Sequence, residues 1–210
     1  MIARGAATAF LALAAASAPY AAALAAASDI SDAAVPAPSS DIPESDRTRE
    51  AVSVAIAACE TWLLHPSTWS EGIDRFPARA NLAAKGLVAV ASVPDAALPP
   101  PEARQALHYW RVAAGDGGVF VVTSDKQPIC HATGGGSQDF QPAIEAVLAS
   151  AIFQLDWVGG GEDVAGDMRS GRYNYRVDRI MEMLVSRATT AQARTDRPQL
   201  VLTAQYAIGR

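Results

Sequence analysis

Three histidines, two cysteines, four tryptophans and two glycine triplets are the residues of this chain whose types suggest chemistry. Cys130 and His131 are adjacent, the order in which a thiolate and its base would be sought. Neighbours on a strand point to opposite faces, however, so these two side chains would not meet. His65 and His108 complete the histidines, and neither an H-x-x-x-H nor a C-x-x-C spacing occurs. The short ligand spacings of a metal site are therefore missing, and neither a metal nor a cofactor is expected. G-x-S-x-G, H-E-x-x-H and S-x-x-K are also absent, which removes the commonest sequence-readable hydrolase designs.

Two glycine-rich segments remain. Gly134-Gly135-Gly136-Ser137 stands between an expected strand and an expected helix start, where backbone N–H groups and a helix dipole can receive an anion. It lacks the Gly-Lys-Ser/Thr ending of a phosphate loop and the dinucleotide G-x-G-x-x-G, so a plain connection competes with that reading. Gly159-Gly160-Gly161 follows Trp157 and precedes Glu162-Asp163, a loop whose indole and acids could contact a partner. Glu162 with Asp163 or Asp167 could form an acid and base pair, although solvated loop acids are the commoner case. The ligand-binding candidates are thus His131, Gly135, Gly136, Ser137 and Trp157. Trp62, Trp69 and Trp110 could join Trp157 in lining a cleft or could fill the core.

The N-terminus supplies the context for the cysteines. Met1 to Arg4 carries one positive charge, Gly5 to Ala18 is apolar and uncharged, and Ala23-Leu24-Ala25 and Ala25-Ala26-Ala27 offer small-x-small cleavage patterns. These are the parts of a signal peptide over residues 1–27, cut after Ala25 or Ala27. An uncleaved anchor is the competing reading, but Pro19 and Tyr20 interrupt an apolar run shorter than the roughly 20 residues a span requires. No cysteine near the cut could be lipid-modified, so no stable membrane anchor is expected after cleavage. Residues 28–46, rich in Ser, Asp, Ala and Pro, read as a disordered linker, and residues 47–210 as a single exported domain. In a periplasmic or secreted protein, two cysteines are expected to pair as Cys59–Cys130. The net charge of −5 becomes −6 when Arg4 leaves, which argues against nucleic acid or an anionic lipid as a partner.

The elements that must hold these residues can be read coarsely. Val52, Ile56, Cys59 and Leu63 recur at helical spacing from Glu44 to Leu64, and Pro66 stops the run. A short helix could occupy Ala78 to Lys85 before Gly86, and Leu87 to Val93 could be a buried strand or a packed loop. His108 to Ala114 and Val119 to Ser124 form a hairpin across Gly115-Asp116-Gly117-Gly118, and Ile129 to Thr133 adds a third strand. Ser137 or Asp139 can cap a second helix with Pro142 in its first turn and Ile144, Val147, Leu148 and Ile152 on its apolar face. Asp156 to Gly171 reads as loop. Val177, Ile180, Met181, Leu184, Val185 and Ala188 fit a helical template, yet Tyr173 to Ala188 is read as a strand because the terminal strand, Leu200 to Ile208, needs an antiparallel partner.

The expected fold is α+β, an antiparallel sheet of about five strands with two main helices packed on one face, after the signal peptide and linker. The expected function is that of a non-catalytic module binding an unknown small molecule or a protein through one sheet face and its glycine loops. The alternative is a periplasmic hydrolase that uses His131 or His108 with a loop carboxylate. An imidazole in a pocket near an acid or hydroxyl would favour the alternative, and a buried or isolated one the binding module.

Overall fold

The computed structural model describes residues 43–115, 117–177, 180–190 and 197–206. The expected leader and almost all of the linker lie outside them. Helix α1 (Glu44–Leu64) starts directly after Pro43 and carries Glu44 and Asp46 in its first turn, where carboxylates complement the helix dipole. Residues 44–46, assigned to the linker on composition, are therefore helical. Pro66 disfavours helical backbone at the residue before it, and His65 leaves the helix with φ −126° and ψ 65°. The stripe of Val52, Ile56, Cys59 and Leu63 is buried, but so are Ala51, Val54, Ala55 and Ala58. This helix is enclosed on more than one side, by the sheet and by a second helix.

Among the described residues, eight strands, not about five, make one antiparallel sheet: β1 (Val88–Ala89), β2 (Leu107–Ala114), β3 (Gly117–Ser124), β4 (Ile129–Gly135), β5 (Trp157–Ala165), β6 (Met168–Tyr175), β7 (Met181–Ala188) and β8 (Leu200–Tyr206). Their order, β1-β2-β3-β4-β8-β7-β6-β5, is that of two consecutive meanders fused where β4 meets β8, with Ala132 opposite Leu202 and Cys130 opposite Ala204. The ambiguous stretch before the terminal strand is extended. Met181, Met183, Val185 and Arg187 face the helices, whereas Leu184 is exposed. Asp156 to Gly171, read as loop, is instead mostly the hairpin β5–β6, with a bulge between Gly159 and Gly161. The run after Gly86 yields only the two exposed residues of β1 at the opposite edge.

Two shorter helices, α2 (Phe76–Arg79) and α3 (Gln141–Leu148), precede α4 (Ala151–Asp156). The sequence suggested one helix through Ile152. Ser150 divides it: its backbone is extended at ψ 147°, and its Oγ accepts from Phe153 N at 3.2 Å. The resulting turn puts Ile152 in solvent at 77% exposure.

The main core lies between the sheet and α1 and α3. Trp62 stacks on Trp69 at 4.6 Å and meets Phe76 edge-on at 5.0 Å, with Trp110 tilted beside them. Each of the three indoles donates a hydrogen bond, Trp62 to Ser124 O, Trp69 to Trp62 O and Trp110 to Thr123 Oγ1. Aromatic pairs of this kind contribute roughly 0.5–1.5 kcal/mol each beyond their buried area. These tryptophans therefore fasten the end of α1 to β2 and β3. On the other sheet face, the turn Asp95–Ala97 packs over β3 and β4, and Val122 and Thr133 are buried there.

Candidate functional site

Strand β4 separates its two reactive-looking neighbours. Cys130 faces α1 and is bonded to Cys59, with S–S 2.01 Å and Cα atoms 5.2 Å apart. His131 points to the opposite face, buried, with Nδ1 2.9 Å from Thr203 Oγ1, its partner across the β4–β8 ladder. Burial lowers its pKa to about 4, so the ring is neutral at physiological pH and a weak base. His108 Nε2 lies 3.9 Å from Asp125 Oδ1, beyond hydrogen-bond reach. Neither imidazole lines either of the two surface depressions described below. A hydroxyl–imidazole contact exists at His131, but among the described residues no carboxylate orients the ring.

The glycine loop is already occupied by the protein's own side chains. Gln199, nearly fully buried, accepts from Phe140 N at 2.8 Å and donates to Gly136 O and Gln138 O. Asp139 Oδ1 accepts from Gln141 N at 2.9 Å. The N–H groups of Phe140 and Gln141 at the start of α3 are therefore satisfied internally. Gly135 and Gly136 line a shallow depression of about 260 Å³ with Phe120, Pro198 and Arg197, and Arg197 is ion-paired with Asp167. Ser137 is exposed and does not line it.

Trp157 and the acids that follow it go elsewhere. Glu162 lies on the helix side of β5, where it accepts from Arg187 Nη2 at 2.8 Å. Arg187 Nε donates to Glu145 Oε1 of α3 at 2.7 Å, and Gln141 Nε2 donates to the same oxygen. With Arg187 only 3% exposed, this is a buried guanidinium clamped between α3 and the outer strands, a structural ion network. Periodicity could not reveal it, because an arginine at a core position looks like a break in the apolar alternation.

The larger depression is a groove of about 600 Å³ between α1 and the α3–α4 bend. Val54, Ala57, Val147 and Phe153 line its apolar part, and Glu60, Asp156 and Trp157 also line it. The Ser150 break creates this space, since a continuous helix would have carried residues 151–156 along a different course. Burial raises the Glu60 pKa, and the charge of Asp156 raises it further. The Trp157 indole partly offsets this, although its Nε1 falls short of a full hydrogen bond. Of the five ligand-binding candidates, only Trp157 belongs to this groove, and its partners come from α1 and α4. Glu60 and Asp156 carried no sequence signal: each is a single acid at a helix flank, and 96 residues separate them.

Among the described residues, no group of three or more His, Cys, Asp or Glu side chains could hold a metal ion, and no helix is long and apolar enough to cross a membrane. Comparisons with known protein families, curated proteins and solved structures gave no significant match, so any functional assignment must come from the geometry of this chain itself.

Proposed function

We propose that this chain is an exported, non-catalytic binding module whose ligand sits in the groove between α1 and the α3–α4 bend, not on the sheet face or the glycine loops. The leader pattern of residues 1–27 and the Cys59–Cys130 bond support delivery to the periplasm or the exterior, where disulfides persist. The observation that carries the binding reading is the groove itself. It falls within the roughly 300–1,000 Å³ usual for small-molecule sites, and it combines apolar walls with a few convergent polar groups. His131 is buried with a lowered pKa and His108 lines neither depression, which supports binding over hydrolysis, because general-base chemistry needs an accessible, oriented base.

Ala57, half-buried on α1, is the position from which a bulky side chain would fill this space. A panel of small apolar molecules screened by thermal shift is expected to contain compounds that raise the Tm of the native chain. Ala57→Trp should abolish those shifts while the variant unfolds cooperatively. Compounds that stabilise both chains equally would place the ligand elsewhere.

A further inference from the structure

The groove has a charge character that selects among ligands, and the inference drawn from it rests on the groove being the ligand seat. Among the described residues, neither Glu60 nor Asp156 forms an ion pair, though each lines the groove beside apolar surface. Asp46 and Glu50 add two more carboxylates along α1, against Arg49 and Lys85. Arg49 is committed to Asp46 at 3.1 Å. Arg176, whose backbone N–H donates to Asp156 O, directs its guanidinium to the carbonyls of Gln154 and Leu155 near the end of α4. Phe153 and Trp157 contribute aromatic rings to the same wall, and their faces attract cations.

We propose that the groove takes an organic ammonium ion on an apolar body, its charged head between Glu60 and Asp156 and its body along Val54, Ala57, Val147 and Phe153. An anion would meet four carboxylates against two basic side chains, one of which, Arg49, is already paired. A neutral molecule would strip water from Glu60 without replacing it. A cation is attracted by both acids and offsets one of their two charges, and the raised pKa of Glu60 then falls on binding, so the complex forms with release of a proton wherever Glu60 was protonated in the free chain.

Three probes of equal length separate the possibilities: n-octylammonium, n-octanol and n-octanoate, each below its micellar concentration and titrated calorimetrically into the disulfide-bonded chain. Octylammonium is expected to bind at least about tenfold more tightly than octanol, as for a desolvated charge pair, and octanoate not at all. Glu60→Gln, whose folding is checked by its urea midpoint, should remove most of the ammonium preference and leave octanol affinity within about twofold. Asp156→Asn should act in the same direction. Octanol or octanoate binding as tightly as octylammonium in the groove would overturn the cationic ligand and leave the groove standing. No binding of any probe, or binding indifferent to Ala57→Trp, would overturn the groove as well.

Discussion

At the scale of single residues, two titrating groups, one buried and one half-buried, push stability in opposite directions with pH. His131 has a folded pKa of about 4 against an ordinary 6.5, so its contribution is complete above pH 6.5 and is lost as pH falls towards 4. That contribution is about 3 kcal/mol by proton linkage. Glu60 works the other way. Its folded pKa lies above the usual carboxylate value, so its contribution is present at low pH and is lost as pH rises through the folded pKa. Urea unfolding between pH 4 and 7.5 should therefore show a flattened acid limb in His131→Asn. Glu60→Gln should be more stable than the native chain at pH 7 and no more stable at pH 4. Arg187 makes a third residue-scale case. Removing both Glu145 and Glu162 strands a guanidinium that is 3% exposed, whereas removing the arginine leaves two carboxylates, each 44% exposed, that water can solvate. Glu145→Ala with Glu162→Ala should cost about 3 kcal/mol or more, and Arg187→Met distinctly less, in equilibrium unfolding.

At the scale of elements, the disulfide ties α1 to β4 across 71 residues, which the chain-entropy model makes worth about 4 kcal/mol. Cys59→Ala with Cys130→Ala should lower the unfolding free energy by roughly that amount with little change in far-UV circular dichroism. A loss below about 1 kcal/mol would mean that packing of α1 alone holds this joint. What could be read in advance depended on which elements bury an apolar face. α1 was legible because Val52, Ile56, Cys59 and Leu63 repeat at the helical period and Pro66 ends them. The β2–β3–β4 meander was legible because a glycine-rich turn at 115–118 and the polar stretch 125–128 separate three short strand-forming runs. β5 was not: apart from Trp157 and Val158 it is exposed along its length, so no alternation marks it, and its glycines and acids mimic a loop. β7 resembled a helix because exposed Val177, Ile180 and Leu184 happened to fall at helical spacing, while Arg187 occupied an inward position of the true alternation. The break at Ser150 was hidden for a related reason. Serine is an ordinary helix surface residue until its hydroxyl caps a new turn, as it does here with Phe153 N.

At the scale of the whole molecule, the two fused meanders give one long sheet whose middle is covered on both faces, by α1 and α3 on one side and by the Asp95–Ala97 turn on the other. The covered middle contains most of the residues that looked chemical in sequence: both cysteines, His131, and the tryptophans at 62 and 110 are packed away. The open groove is assembled from the flank of α1 and from α4, elements about a hundred residues apart, and that long-range pairing is why it left no local motif. The proposed ligand seat is this groove, and not the sheet face that carries His131 and Thr203. Amide chemical-shift mapping of the isotope-labelled chain titrated with n-octylammonium tests it most directly. Saturable shifts are expected at Val54, Ala57, Glu60, Phe153 and Trp157, and they should disappear in Ala57→Trp. Shifts centred on Thr203, Gly135 and Gly136, with the groove residues unmoved, would contradict it.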